Sequence, residues 1–580
     1  MKIEKKLLSG NQAIARGAYE AGVIFASAYP GTPSTEILEN IRFYKEIYSE
    51  WSSNEKTALE AGIGASFAGA RTLVTMKHVG LNVAADPLMT LTYTGVKGGL
   101  VIVVADDPAM HSSQNEQDTR HFGRFGKLPV LEPSDSDEAR KMTKLAFEIS
   151  EQFDTPVILR TTTRVSHGES LVTLEERKQS PVSLSFDKNN QKFVMIPAYA
   201  KKRHTFVEER FNKLKAYAET LSFNSAEYKD TEIGIVTSGI AYEYCKEVFP
   251  NASFLKLGMS WPLPESKIKE FSQKVKKLFV IEELDRFFEE NLKIMGLNPL
   301  SKPDPMIEGE LDPDKIVEII TGKKITVEID TTVPPRPPVM CAGCPHRPVF
   351  WITNKLKLIV DGDIGCYTLG TLPPLDALHT TICMGASIGM MHGMKKVLPP
   401  EEAKKVVSVI GDSTFFHTGI NNLIATYYNK GTGTILILDN RITAMTGGQN
   451  NPGTGKTLSG EKANEINIES LCRGIGIKDV KVIENYDLKA IEEALKDSLA
   501  KEDELSVIIT TRPCVLIVPP DKPYRVDQDK CKACGACLKT GCPALIKQEN
   551  GKVRIDSLSC NGCGLCFQVC PFQAISKEEK

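Results

Sequence analysis

The sequence predicts an α/β chain with two open α/β domains, a smaller α/β domain between them and a short cysteine-rich module at the end. Three observations support this. Apolar runs of strand length alternate with helical segments over most of the sequence, the pattern of parallel sheets covered by helices. The run 406–410 ends at Gly411-Asp412, residues 418–429 have helical spacing, and 434–438 ends at Asp439-Asn440, which together read as a βαβ unit with oxygen ligands at both strand ends. Eight of the fifteen cysteines fall within the last fifty residues, a clustering that points to metal rather than to disulfides.

The 580 residues are enough for roughly three to five domains. A net charge of -2 gives no electrostatic case for nucleic acid or an anionic membrane surface. Residues 1–17 are charged and lack a signal-peptide core, and no stretch reaches the ~18 apolar residues of a membrane span. A cytoplasmic protein is therefore expected.

Residues 1–190 read as one α/β domain, with strands at 73–75, 100–104 and 157–159. Its loop 29–35 holds two prolines and a glycine, and Ser34 or Thr35 could cap the next helix, leaving N–H groups for an anion. Residues 54–66 form a small-residue helix with Glu55 at its start; Glu60 is the competing carboxylate, further in. Loops 75–82 and 105–116 follow strands directly and are polar where a substrate pocket would lie, so His78, His111 and His121 are candidate pocket residues. Residues 196–230 read as a charged helical connector. A small α/β domain follows over 232–283, and the proline-rich stretch 333–339 marks a linker.

Beyond the linker, Cys341 and Cys344 form a Cys-x-x-Cys hairpin, Cys366 ends the run 358–365, and Cys514 follows the strand 507–510. These positions could bring four thiolates to one sheet rim; the alternative is a set of buried inert thiols. Residues 383–389 read as another small-residue helix, and 446–449 as a flexible turn. Carboxyl ends of neighbouring parallel strands form the crevice where open α/β sheets bind cofactors, so Asp412 and Asn440 should converge. With a backbone carbonyl near Ile442, water and two phosphate oxygens they would complete an octahedron for Mg2+.

The terminal cysteines are the most specific signal. Cys531, Cys534, Cys537 and Cys542-Pro543 are followed by Cys560, Cys563, Cys566 and Cys570-Pro571, the bacterial two-cluster ferredoxin pattern. One 4Fe-4S cluster would use Cys531, Cys534, Cys537 and Cys570, the other Cys560, Cys563, Cys566 and Cys542. A zinc ribbon would instead show paired Cys-x-x-Cys.

The turn Gly411-Asp412-Ser413 with the later Asn440 resembles the diphosphate-binding motif of thiamine diphosphate (ThDP) enzymes, with Ser413 in place of the usual glycine. Serine is tolerable there unless φ must be positive. A ThDP site with a two-cluster relay is similar to the 2-oxoacid:ferredoxin oxidoreductases, most closely the alpha subunits of their indolepyruvate-type members, over essentially the whole chain. The marker segments are 29–35, 54–66, 77–82, 341–346, 411–417 and the ferredoxin cysteines. The resemblance implies four regions: a pyrimidine-binding-type ThDP domain (1–190), a connector with a transketolase C-terminal-like domain (191–330), a diphosphate-binding ThDP domain (331–520) and the ferredoxin domain (521–580). It implies Glu55 as the residue that hydrogen-bonds the aminopyrimidine, with Thr32, Gly80, Gly411, Asp412, Ser413, Asn440 and Ile442 at the cofactor and Asp412 and Asn440 on Mg2+. A third 4Fe-4S cluster at Cys341, Cys344, Cys366 and Cys514 is a further expectation. Also implied are aryl pyruvates and coenzyme A as substrates, ferredoxin as acceptor, and a smaller beta subunit carrying the gamma-type domain, in a hetero-oligomer. Pyruvate-specific relatives place an arginine after the strand 100–104; Asp106-Asp107-Pro108 stands here, so the substrate carboxylate must be recognised differently. The alternative activity is a non-oxidative ThDP decarboxylase whose clusters are structural or regulatory.

Overall fold

Near-continuous Val/Ile/Leu strands build the sheets, because strands covered by helices on both faces have no solvent face to make polar. The computed structural model describes residues 4–325, 332–334 and 336–578 and divides into two units, 1–330 and 331–580. The boundary at 330/331 and Pro335 of the linker lie outside the described residues. No described helix is long and apolar enough to cross a membrane.

In the first unit, β1 (Phe25–Ala28), β2 (Tyr48–Trp51), β3 (Thr72–Lys77), β4 (Leu100–Asp106), β5 (Val130–Leu131) and β6 (Val157–Thr162) are all parallel, and β3, β4 and β6 are buried throughout. The smaller sheet contains β7 (Asn224–Glu227), β8 (Asp230–Thr237), β9 (Ala252–Leu257) and, beyond β10 (Met259–Trp261), β11 (Lys277–Ile281), in the order β11-β8-β9-β7. Strand β10 instead pairs antiparallel with β5, giving the larger sheet the order β10-β5-β6-β4-β3-β1-β2. The second segment of this unit therefore supplies an edge strand to the first.

Charge completes that junction. Fully buried Arg120 donates to Asp118 Oδ1 at 2.9 Å and to Glu282 Oε2 at 2.7 Å, and reaches the carbonyls of Glu283 and Asp285. Its guanidinium also lies 4.8 Å from the centroid of Phe288.

In the second unit, β12 (Ile359–Asp361), β13 (Val406–Gly411), β14 (Gly433–Asp439), β15 (Asp479–Glu484) and β16 (Leu505–Thr511) are parallel in the order β12-β13-β14-β16-β15. The terminal module holds two short antiparallel pairs, Tyr524–Val526 with Ile575–Lys577 and Leu545–Lys547 with Val553–Ile555. Its own buried core is Cys537, Leu545, Val553 and Ile575.

Two local expectations differ. Ser34 does not cap the helix Thr35–Ile41: its hydroxyl donates to Gly31 O at 2.8 Å, closing the loop on itself. The segment 383–389 is not all helix, because Gly385 has φ 90° and the helix begins only at Ala386.

Arg120→Met should strand Asp118 and Glu282 as buried charges, costing about 3–5 kcal/mol. A drop in the urea midpoint of the first unit, followed by circular dichroism, checks it; an unchanged midpoint would mean that the ion pairs contribute nothing net.

Candidate active site

Asp412 follows β13 and Asn440 follows β14, neighbouring strands in register from Val407 with Thr434 to Gly411 with Leu438. Asn440 points one end of its amide at Asp412 Oδ1 (3.1 Å) and Ile442 O (2.8 Å) and the other at His346 Nε2 (3.3 Å). With nitrogen inward, the amide would donate to both oxygens and leave its oxygen against the histidine. With oxygen inward, three oxygens converge, and their spacing matches the roughly 3.0 Å edge of an octahedron with metal bonds of about 2.1 Å. We assign the second orientation in the cation-bound state, because burial holds His346 down to about 4, so its neutral ring can accept from the amide nitrogen. The donor set fits Mg2+.

Local backbone aims these groups. Arg441, between Asn440 and Ile442, has φ 61°, a left-handed turn uncommon for a side chain of its size, and it is held by Asp439 at 3.0 Å and Gly453 O at 3.1 Å. Burial, with Asp439 adding to it, pushes Asp412 up to about 7, and Asn451 Nδ2 donates to its Oδ2 at 3.1 Å. Ser413 has helical rather than positive φ, so the departure from glycine carries no backbone strain; its hydroxyl accepts from Thr443 Oγ1 at 2.8 Å. A π turn, Phe415–Gly419, follows immediately. A Cβ on Gly411 would lie 2.6 Å from the Tyr367 ring, which explains the residue.

The same rim carries thiols. Cys366 follows β12 and Cys514 follows β16, so strand ends in the order β12-β13-β14-β16 bear thiol, carboxylate, amide and thiol. Cys341 and Cys344 precede the helix Arg347–Lys355. Burial pushes Cys344 up to about 12, with Cys366 and Cys341 adding; burial takes Cys366 to about 11, with Cys514 and Cys341 adding. Neighbouring thiols thus add to the cost of ionising Cys344 and Cys366, a cost that a bound cationic cluster would reverse. The Cys514 N–H donates to Asn440 O at 3.0 Å, tying thiol rim to oxygen rim.

The terminal module rests on this loop. Asn561 Nδ2 donates to Ala342 O at 2.7 Å, and buried Arg347 donates to Thr540 O at 2.9 Å and to Met340 O at 2.8 Å. Tyr486 donates to Gly343 O, accepts at its carbonyl from Gln568 Nε2 at 2.7 Å and carries the Arg512 guanidinium 4.1 Å from its ring centroid. Cys531, Cys534, Cys537 and Cys570 line one cavity, while Cys563 and Cys566 are raised first by burial and then by neighbouring thiols, Cys542 and Cys560 among them.

In the first unit Glu55 is the first residue of the helix Glu55–Phe67, whose cap Asn54 accepts from Thr57 N at 2.8 Å. Glu55 is buried, whereas Glu60 is exposed and paired with Lys56. A Cβ on Gly80 would sit 2.6 Å from Glu55 Oε1, so the glycine makes room for that carboxylate. Thr32 O accepts from Ser112 Oγ at 3.2 Å. Of the histidines, His78 is buried against Asn115 O, while His111 and His121 pair with Glu310 and Asp285 toward solvent. Asp106 is bound by Arg160 at 2.7 Å; Asp107 accepts from Ser113, Ser112 and Thr163, which outweighs burial and holds its pKa below the usual carboxylate range.

Three family descriptions match successive stretches: pyruvate flavodoxin/ferredoxin oxidoreductase, thiamine diphosphate-binding, over 16–230; thiamine pyrophosphate enzyme, C-terminal TPP-binding domain, over 363–510; and 4Fe-4S dicluster domain over 523–571. Fold and site therefore define a ThDP-binding iron-sulfur oxidoreductase of 2-oxoacids. Indolepyruvate oxidoreductase subunit IorA of Pyrococcus horikoshii is 41% identical, with 99% of this chain and 97% of that protein aligned; the IorA of Archaeoglobus fulgidus is 40% identical over 99% and 97%. The 2-oxoglutarate synthase subunit KorA of Methanothermobacter marburgensis is 24% identical over 55% of this chain and 100% of its own. The chain belongs to the indolepyruvate oxidoreductase IorA-subunit family.

His346→Leu should free the Asn440 amide to rotate and weaken Mg2+-dependent ThDP retention about tenfold or more, as loss of an outer-shell partner does. Titration of the apoprotein followed by near-UV circular dichroism measures this, and an unshifted Mg2+ curve would deny the histidine that role. Gly343→Ala adds a Cβ 2.8 Å from Asn561 Cβ at φ 68° and should loosen the terminal module. Faster proteolytic release of that module is the expected result.

Proposed function

We propose that this chain, with a smaller partner subunit, oxidatively decarboxylates indole-3-pyruvate and other aryl pyruvates with coenzyme A, giving arylacetyl-CoA, CO2 and reduced ferredoxin. The observation that carries the reading is the single rim where the Asp412, Asn440 and Ile442 oxygens stand between Cys366 and Cys514, with a dicluster module docked on the Cys341 to Cys344 loop.

ThDP supplies an electron sink beside the 2-oxo carbon once bound. The chain's residues do the rest. Asp412, Asn440 and the Ile442 carbonyl would hold Mg2+ and through it the diphosphate, with Gly411 and Ser413 forming the turn. Glu55, buried at a helix start, would exchange a proton with the aminopyrimidine, and the solvated Glu60 is ill placed for that task. Thr32 and Gly80 shape the loops beside it. Cys341, Cys344, Cys366 and Cys514 would hold a third 4Fe-4S cluster and the eight module cysteines two more, groups that would supply one-electron acceptors toward ferredoxin.

The test is anaerobic CO2 release from indole-3-pyruvate by the chain with its partner subunit. Release should require both coenzyme A and an oxidised one-electron acceptor, with stoichiometric reduction of the acceptor. Release without either would establish a simple decarboxylase instead. Cys366→Ala should remove one cluster's worth of iron and its electron paramagnetic resonance signal while the two module clusters persist; unchanged iron would refute the third cluster.

A further inference from the structure

Four neighbouring parallel strands, in the order β4-β3-β1-β2, end on one edge of the larger sheet of the first unit. Their following loops contribute Asp106 to Ser113, Lys77, the Thr32 loop and Glu55. Charge at this edge is almost entirely spent on architecture. Asp106 is bound by Arg160, and Asp107 takes hydrogen bonds from Ser112, Ser113 and Thr163 that fold its own loop.

Lys77 is different. It is the last residue of β3, its stem lies against Gly31, where a Cβ would come within 3.2 Å of Lys77 Cγ, and its side chain is buried. The ammonium donates to Ser112 O at 2.9 Å, and among the described residues no carboxylate reaches it within ion-pair distance. Several buried cations of this unit are paired with carboxylates, Arg71 with Glu151 at 2.7 Å, Arg120 with Glu282 at 2.7 Å, Arg140 with Glu20 at 2.6 Å and Arg160 with Asp106 at 2.7 Å, whereas Lys302 and Arg210, like Lys77, are held by backbone carbonyls. A buried cation whose only direct partner is a neutral carbonyl is expensive even with carboxylates near it, and a site that retains one is suited to an anion that comes and goes. Lys77 also lies close enough to Glu55 for the two charges to interact.

We propose that the Lys77 ammonium receives the carboxylate of the substrate 2-oxoacid and so sets the requirement for an anionic substrate. This rests on the oxidoreductase reading above for the identity of the acid. The loop positions after β4 that could have supplied a cation carry Asp106 and Asp107, which the fold consumes.

The test uses the holoenzyme with its partner subunit and two unreactive probes, 3-phenylpropionate and its uncharged amide, titrated calorimetrically. The wild type should prefer the carboxylate. Lys77→Met and Lys77→Gln should each lose about 10- to 100-fold in carboxylate affinity, the span of a hydrogen bond to a charged group, while keeping the amide affinity. Lys77→Arg should retain the preference. A wild type without preference, or neutral variants that keep it, would overturn the proposal.

Should both neutral variants fail to fold, pH decides. Burial lowers Lys77 to about 8 against the pull of Asp107 from the β4 loop and Glu55 from the helix start. Carboxylate affinity should therefore fall above about pH 8 in the wild type and hold in Lys77→Arg; a flat wild-type profile would count against the proposal. The binding arms need no turnover. Failure of the oxidoreductase reading alone would appear as absent acceptor-dependent CO2 release with the Lys77-dependent preference intact.

Discussion

The Asn440 amide is the constraint on which the chemistry of the second unit depends. Its inner end stands with Asp412 and Ile442, its outer end meets His346, and its backbone carbonyl accepts from the Cys514 N–H. A set of converging oxygens and a thiol rim thus share one residue. His346 extends the link, because it lies two residues beyond Cys344 on the Cys-x-x-Cys loop while its ring faces Asn440. Any shift of the Cys-x-x-Cys loop would be felt at the metal ligands with no intervening flexible segment. Left-handed Arg441 is the strain that this arrangement costs, since an ordinary φ would turn the Ile442 carbonyl away from the Asn440 side chain.

In the first unit, buried charge serves a different purpose. Arg120, Asp118 and Glu282 lock the two sheets together, and Arg160 with Asp106 and Glu132 stiffens the strand ends. Pairs of this kind contribute little net stability over an apolar core, yet they are severe when broken, so they define geometry more than they deepen the energy well. That stiffness suits a pocket edge. Glu55 and Lys77 can keep their positions while the surrounding charges are neutralised by partners that never leave.

The strands were legible because a parallel sheet covered on both faces writes itself as an uninterrupted apolar run: 406–410 and 434–438 anticipate β13 and β14 to within a residue. From two such runs, the convergence of Asp412 and Asn440 follows by topology alone. The ferredoxin cysteines were legible because spacing within a loop is a local property. What stayed hidden depends on tertiary contacts. Asn451 reaches Asp412 across 39 positions, and His346 reaches Asn440 across 94. Lys77 reads as one more lysine in a chain with 71 Lys and Arg, and its burial against the Ser112 carbonyl becomes visible only in the fold. Ser34 misled for the opposite reason: it has the composition of a cap, but the preceding Gly31 carbonyl competes for its hydroxyl.

The terminal module shows how cofactor, folding and docking become one process. Four buried residues, one of them Cys537, make too small a core to hold some sixty residues by apolar burial. Burial, with Cys542 and Cys560 adding to it, pushes the thiols of Cys563 and Cys566 toward protonation. Cluster binding must therefore supply both the missing core and the missing positive charge. Docking adds to this, because Leu565 lies within the larger domain's core, with Cys563 and Val569 packed against it. The loop 560–563 is thus at once a cluster ligand set and a packing surface. A module that failed to order the loop 560–563 would lose its seat on the Cys341 to Cys344 loop, because Asn561 Nδ2 donates to Ala342 O from that same loop.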